Sequence, residues 1–197
     1  MRRPATALVA LVLASSLALA GCATREEPAD DGGAQATTTP TGPEVAPAAG
    51  PKVEGEAYTF AVPEGWGFPP EAPAGYDASM FAADLEDIED GFSDNVNVIT
   101  SPAGEITPEQ VETDGVAELE AAGASDVTVQ DRVTAAGTES AHLSAGFSAE
   151  GVDYLIDQYY LTDAGQTHIV TFSFSPDVAQ EDRDALAASV LATWTWN

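Results

Sequence analysis

Four strand-like runs follow one another between residues 127 and 174, and they constrain the fold more than any other feature of the chain. The runs span residues 127–134, 138–147, 152–161 and 166–174. Short turns follow the first and third runs, at residues 135–137 (Ala-Ala-Gly) and 163–165 (Asp-Ala-Gly). A parallel connection needs a dozen or more residues, so strands joined this closely must pair antiparallel.

Further strands and two helices surround these runs. The earlier strands are predicted at residues 57–62, 78–84 and 95–100. A helix should begin after Thr107, because Pro108 and Gln110 complete a capping-box pattern, and should end at Gly123. A last helix is predicted to start at residues 175–177, Ser-Pro-Asp. This order predicts an α+β fold, an antiparallel sheet with helices packed on its faces.

The N-terminus has the pattern of a secretion and anchoring signal. Arg2 and Arg3 precede an apolar, uncharged run over residues 5–20, which is shorter than the roughly 20 residues of a membrane-spanning helix. It ends at residues 19–22, Leu-Ala-Gly-Cys, which resembles the lipobox of bacterial lipoproteins. We predict that residues 1–21 are a lipoprotein signal peptide and that Cys22, the only cysteine, is lipidated. The alternative is an ordinary secretory signal with an incidental cysteine.

Composition divides the rest of the chain in two. Residues 22–55 are rich in Ala, Thr, Pro, Gly and acidic residues without apolar periodicity, which predicts a disordered tether. Residues 56–197 are predicted to form a single α+β domain. With Cys22 lipidated, that domain would stand at the extracytoplasmic face of the cell membrane.

The charge of the chain is strongly acidic. Six basic residues oppose 33 acidic ones, for a net charge of −27, and loss of Arg2 and Arg3 with the signal would make it −29. This excludes nucleic acid as a natural partner, because phosphate binding needs Lys and Arg. It also disfavours docking of the domain on anionic lipid headgroups. Solubility explains such acidity; the alternatives are a cation site or a basic partner protein.

One aromatic residue and one acidic loop form the candidate binding surface. Its members are Trp66, Glu86, Asp87, Glu89 and Asp90. Trp66 directly follows a predicted turn at residues 63–65, where it is either a ligand platform or a core aromatic that packs at the corner. The acidic loop fails as an EF-hand, because Ile88 falls at a ligand position and Asn97 where the bidentate Glu belongs. We expect a solvated loop and no metal.

No constellation of catalytic residues is evident in the sequence. His168 lies on an apolar strand face and is predicted to be half-buried, whereas His142 lies on the polar face of its strand. Residues 142–146 have Ser144 and Gly146 at the spacing of a nucleophile elbow. They lack the first glycine, and a strand and turn follow where a helix is required. We therefore expect no enzyme activity, no catalytic residue and no cofactor.

Several short motifs together resemble a known family. They are the opener Tyr58-x-Phe60-x-x-Pro63-x-Gly65-Trp66, the strand Asn95-Val96-Asn97-Val98, the helix start Thr107-Pro108-Glu109-Gln110 and the closing Trp194-Thr195-Trp196. In this order the chain resembles the LpqN-type lipoproteins of actinobacteria and, more distantly, PsbP-like domains. The resemblance implies an α/β/α sandwich around an antiparallel sheet and an accessory or binding role. It carries over no functional residue except Cys22.

Three functions follow from these features. The first is a lipid-anchored extracytoplasmic binding or scaffold protein of the cell envelope that engages a protein partner. The second is a carrier of a lipid or other apolar ligand, held between sheet and helix. The third is an envelope hydrolase that uses carboxylates.

Overall fold

The computed structural model describes residues 45–70, 77–87, 92–149 and 151–197. The strands in these residues are β1 Lys52–Glu54, β2 Tyr58–Ala61, β3 Trp66–Gly67, β4 Phe81–Asp84, β5 Asn95–Thr100, β6 Ser125–Val129, β7 Val133–Ala135, β8 Thr138–Ala149, β9 Val152–Asp163, β10 Gln166–Phe174 and β11 Thr195–Trp196. The helices are α1 Pro108–Gln110, α2 Val116–Ala121 and α3 Gln180–Leu191, and a π-helical turn, Val111–Gly115, joins α1 to α2. A 3-10 turn, Ala78–Met80, leads into β4.

Two antiparallel sheets organise the strands. The larger one has the order β3-β4-β5-β10-β9-β8-β6, with β7 also pairing with β8. The smaller one has the order β1-β2-β11, so it joins the first strands of the domain to its C-terminus. Every strand pair is antiparallel, which confirms the predicted fold class.

Tight turns set the register of the large sheet. In the β7–β8 hairpin, Ala136 and Gly137 have φ angles of 49° and 83°. In the β9–β10 hairpin, Ala164 and Gly165 have φ angles of 48° and 79°. Two successive left-handed residues twist the chain in the sense that flanking strands require, so these two-residue loops favour hairpins. The predicted turn positions are confirmed.

Each face of the large sheet has its own apolar core. On one face, Val170 and Phe172 pack with Phe60 of the small sheet and with Val190 of α3. On the other face, Leu143 packs against residues of the first helix. Side chains alternate across a strand, so β9 and β10 supply both cores. None of the helices in the described residues is long and apolar enough to cross a membrane.

The first helix begins as predicted. The Thr107 hydroxyl accepts a hydrogen bond from the Gln110 backbone N–H at 3.4 Å, and the Gln110 side chain accepts one from the Thr107 N–H at 2.9 Å. This is the reciprocal capping box. Gly123, with a φ of 94°, follows the end of α2.

The folded part begins before Glu56, contrary to the prediction. β1 lies within residues 22–55, which were assigned to the tether, and its Val53 is fully buried. Gly50 donates a backbone hydrogen bond to Val62, and Ala48 donates one to Ser189 at the end of α3. A three-residue strand with one apolar residue has no detectable periodicity, so its place in the sheet depends on pairing with β2.

Two other predicted boundaries are wrong. The last helix begins at Gln180 and not at residues 175–177. There the Val178 N–H donates to the Ser175 carbonyl oxygen in a separate turn, and the Ser175 N–H is bound by the Asp94 carboxylate. The run over residues 127–134 is divided into β6 and β7. Arg132 lies in the break between them, and its Nε donates to Oε1 of Glu112 at 2.5 Å.

Candidate functional site

The residues of the predicted binding surface lie in different environments. Trp66 is only 5% exposed and belongs to the core, which favours its packing role over that of a ligand platform. Glu86 is exposed and Asp87 is partly exposed. Glu89, Asp90 and Cys22 lie outside the described residues.

Two large apolar side chains are exposed next to Trp66. Phe68 is 43% exposed and Leu85 is 47% exposed. Leu85 extends over Gly67 of β3, where a Cβ atom would lie 2.9 Å from the Leu85 Cδ1. The apolar surface near the acidic loop therefore comes from Phe68 and Leu85, which the sequence interpretation did not single out.

A buried cluster of charged side chains lies between the large sheet and α3. Asp157 of β9 is fully buried, and its two carboxylate oxygens have different partners. His142 Nε2 lies 2.9 Å from Oδ1, and Arg183 Nε donates to Oδ2 at 2.8 Å. An ionised carboxylate only accepts hydrogen bonds, so His142 Nε2 is the donor, and a neutral imidazole then has its lone pair on Nδ1.

Surrounding contacts hold each member of this cluster in place. His142 stacks on Tyr159, its cross-strand neighbour, with ring centroids 4.2 Å apart. Arg183 also donates to the Val178 carbonyl oxygen at 3.0 Å and to the Gln180 side chain. A buried charge is tolerated only when it is paired and hydrogen-bonded, and here both charges meet that condition.

Opposing effects act on the pKa of Asp157. Burial raises the pKa, because it disfavours the charged form. The hydrogen bonds from His142 and Arg183, together with the Arg183 charge, favour the carboxylate and outweigh burial, so the pKa lies below its ordinary value of 3.8. Asp157 is therefore an ionised anchor for His142 and Arg183 at neutral pH.

A cavity of about 430 Å³ opens beside this cluster. Its lining residues are Gln130, Asp131, Arg132, Val133, Thr134, His142, Tyr159, Asp184, Ala188, Leu191 and Ala192. We call it the helix cavity, because α3 forms one wall and the sheet the other. Apolar and charged groups share this lining, which suits an amphiphilic molecule better than a purely apolar one.

Metal binding at this position would compete with an existing ion pair. Candidate ligand atoms of His142, Asp157 and Asp184 lie within 4.8 Å of one another. Both oxygens of Asp157 are already hydrogen-bonded, and the Arg183 guanidinium would stand next to any bound cation. The arrangement fits a charge-paired link between sheet and helix.

A second depression, of about 660 Å³, lies near the C-terminus. Its lining residues are Glu56, Ala57, Tyr58, Asp77, Met80, Val98, Thr100, Asp163, Ala164, Gln166, His168, Trp196 and Asn197. We call it the aromatic cleft. The His168 ring lies 5.0 Å from the Tyr58 ring and 5.6 Å from the Trp196 ring, between centroids. His168 and Tyr58 are buried, and Trp196 is partly exposed.

Both histidines are more deeply buried than the sequence indicated. His168, predicted to be half-buried, is 4% exposed, and Thr100 Oγ1 lies 3.1 Å from its Nδ1. His142, assigned to a polar face, is 5% exposed. The missed signal for His142 was Asp157 on the neighbouring strand, because a His and an Asp on facing strands can pair only if the register aligns them.

These features define an α+β domain with an antiparallel central sheet and a helix layer on each face, together with the helix cavity and the aromatic cleft. Among solved structures, it is similar to LpqN of Mycobacterium tuberculosis, described as involved in cell envelope biogenesis. The match covers 71% of this chain and 83% of that chain, at 15% identity and a TM-score of 0.50, and shows a shared fold. No protein-family model matches the chain, and no curated protein matches it.

Two further solved structures are similar over the same share of the chain. A protein of Bacteroides thetaiotaomicron has a TM-score of 0.43 and 13% identity, over 71% of this chain. This chain spans only 45% of the length of that protein. PsbP (CyanoP) from Synechocystis sp. PCC 6803 has a TM-score of 0.41 and 17% identity, over 71% of this chain and 86% of that chain.

Proposed function

We propose that this protein is a lipid-anchored, extracytoplasmic binding protein of the cell envelope that engages a basic protein partner. The proposed anchor is Cys22, at the end of the lipobox-like residues 19–22. The shared fold with LpqN, a protein described as involved in cell envelope biogenesis, supports a role in the envelope. Membership of the LpqN-type family is part of this proposal.

The proposal rests on the fact that most basic residues of the described part are already bound in ion pairs. Lys52, Arg132 and Arg183 are the basic residues within the described part of the chain. Arg183 is buried on Asp157, and Arg132 is bound by three glutamates, Glu109, Glu112 and Glu139. Only Lys52 is left outside these ion pairs in that part. Carboxylates therefore dominate the exposed surface, and such a surface attracts basic partners at long range.

The anchor and the partner can be tested separately. Cys22→Ala should release the protein from the membrane fraction into the medium, while Ser16→Ala in the apolar run serves as the matched control. Continued membrane association of Cys22→Ala would contradict the anchor. It would not bear on the binding proposal, which has a separate test.

The partner test washes intact envelopes at two salt concentrations and then crosslinks the full chain to any protein that is still bound. We expect a basic protein that is retained at about 50 mM salt and released at about 500 mM, because exposed charges are screened as the Debye length shortens. A partner retained equally at both concentrations, or a partner of acidic charge, would contradict the electrostatic part of the proposal.

A second candidate function is a carrier of a small amphiphilic ligand in the helix cavity. This cavity lies where the sequence interpretation placed an apolar ligand, between sheet and helix. The charged groups in its wall argue against a purely apolar guest. Native mass spectrometry of the gently purified protein tests this function: a defined adduct, lost with Leu191→Trp, would favour the carrier.

The proposed role is non-enzymatic. Thr134 is the only Ser, Thr or Cys side chain among the described residues that line the helix cavity, and no hydrogen bond joins it to His142. The lining of the helix cavity therefore offers the His142–Asp157 pair no hydrogen-bonded nucleophile. An envelope hydrolase would require a measured activity that is lost when one carboxylate is changed and the fold is retained.

A further inference from the structure

The aromatic cleft combines two chemical features that together select for organic cations. The aromatic rings of Tyr58, His168 and Trp196 line it, and Glu56, Asp77 and Asp163 add carboxylates. No Lys or Arg stands among the described residues that line it. Aromatic faces attract ammonium and guanidinium groups through the ring quadrupole, and carboxylates add direct Coulomb attraction.

We propose that the aromatic cleft binds the cationic side chain, lysine or arginine, of the partner protein. This inference rests on the proposed function, because it gives the binding site and the recognised group for that basic partner. Charge complementarity selects this occupant over an apolar or anionic one, since the carboxylates would repel an anion and remain unpaired beside an apolar group.

The titratable groups of the cleft are in the states that a cation requires at neutral pH. The hydrogen bonds from Ser79 lower the pKa of the Asp77 carboxyl, so it stays ionised. Burial lowers the pKa of His168, so the imidazole is neutral and does not repel a cation. Burial, with the nearby Asp77 charge, raises the pKa of Tyr58 to about 12, so the phenol stays neutral.

The aromatic wall is held in place before any ligand arrives. Trp196 belongs to β11, which pairs with β2. The Thr195 and Thr59 hydroxyls lie 2.7 Å apart, and the Asn197 N–H donates to the Ala57 carbonyl oxygen at 3.0 Å. Trp196 also packs edge-on against Trp194, with centroids 5.4 Å apart. A rigid wall of this kind loses little entropy on binding.

The test measures binding of a minimal cationic probe by the full chain with Cys22→Ala. The probe is the peptide acetyl-Gly-Lys-Gly-amide, and its matched control is the same peptide with Nε-acetyl-lysine, which lacks the charge. Indole N–H resonances of 15N-labelled protein report on Trp196 directly. We expect the Trp196 resonance to shift with the lysine peptide and not with the acetylated one.

Variants of the protein locate the site. Trp196→Leu should weaken lysine-peptide binding about tenfold, the change that corresponds to about 1.4 kcal/mol for a desolvated cation–π contact. Asp163→Asn, at an exposed position that leaves the core untouched, should weaken it several-fold. Glu120→Gln makes the same charge change on α2, across the sheet from the cleft, and should leave binding unchanged.

Three binding results would overturn the inference. They are equal binding of both peptides, equal loss of binding in Asp163→Asn and Glu120→Gln, and tighter binding of tetramethylammonium than of the lysine peptide. The last would assign the cleft to a free small cation. Crosslinking of the partner to Trp196→Leu as strongly as to the unchanged protein would also overturn it, while the proposed function would stand.

Discussion

Replacing Arg183 with methionine removes one charge from the buried cluster and leaves Asp157 with a single partner. The perturbation is local, because methionine keeps most of the apolar stem of arginine. Asp157 is fully buried, and Arg183 is 7% exposed, so water does not reach the vacated site freely. Breaking a buried ion pair by removing one partner costs about 3–5 kcal/mol, because the remaining charge is left without compensation.

That cost is a large fraction of the whole stability, which is about 5–15 kcal/mol for a domain. For a domain of about 150 residues, each kcal/mol lowers Tm by about 2–4 °C, so Arg183→Met should melt about 6–20 °C below the unchanged protein. Urea unfolding followed by tryptophan fluorescence gives the free energy, and calorimetry gives Tm.

Arg132→Met is the matched control. Arg132 has three glutamate partners, but its side chain is 27% exposed and water replaces the lost contacts. Arg132→Met should therefore lose much less stability than Arg183→Met. The double variant Arg183→Met with Asp157→Leu should recover at least half of the stability lost in Arg183→Met, because no buried charge is left unpaired. If Arg183→Met is no less stable than Arg132→Met, the buried pair does not contribute as argued.

The same cluster predicts a pH dependence. In the folded protein the pKa of Asp157 lies below its ordinary value of 3.8. The unfolded chain therefore binds a proton at higher pH than the folded one, and the stabilisation is fully present above about pH 4. It is lost as the pH falls through the folded pKa. The stability difference between the unchanged protein and Asp157→Asn should be fully present at about pH 5 and shrink below about pH 4.

Three further changes test the packing of the domain, each by urea unfolding. Trp66→Ala should cost about 3–5 kcal/mol, as expected for a buried aromatic; a stable variant that has lost partner binding would make Trp66 a site residue instead. Val53→Ala should cost about 2 kcal/mol, because β1 is part of the fold. An unchanged stability would mean that residue 53 does not pack and belongs to the tether. Thr107→Ala should cost about 1 kcal/mol through loss of the N-cap, whereas Thr107→Ser should cost much less.

Most of the fold was predictable because its signals are local. Gly137 and Gly165 mark the hairpins, since glycine adopts a left-handed conformation without the steric cost that Ala136 and Ala164 bear. The start of the first helix was predictable for the same kind of reason, because Thr107 and Gln110 satisfy each other's backbone N–H groups across a single turn. Such features need no information about the rest of the chain.

The boundaries that were wrong depend on distant contacts. β1 is a strand because β2 offers an edge for it, and Ser175, at the predicted helix start, is held through its N–H by Asp94, 81 residues away. A local pattern cannot register a hydrogen bond that forms only when two remote segments meet. Arg132 is comparable, because it lies between β6 and β7 and its partner Glu112 is 20 residues away.

The candidate sites, too, were predictable only where local sequence patterns determine them. The sequence by itself determined the alternation that puts His142 and Leu143 on opposite faces of β8, because successive side chains in a strand point to opposite sides. It also determined the acidic character of the surface. The residues that share a face with His142 are Ser140 and Ser144, so that face was interpreted as polar.

Only the tertiary structure decided which of these residues meet. Asp157 and Arg183 are 26 positions apart and pair because α3 docks on the face of the sheet that carries His142. Trp196 reaches the aromatic cleft because β11 pairs with β2, near the other end of the domain. The physical reason is that period and turn chemistry act over a few residues, whereas the assembly of a site depends on which apolar faces bury each other.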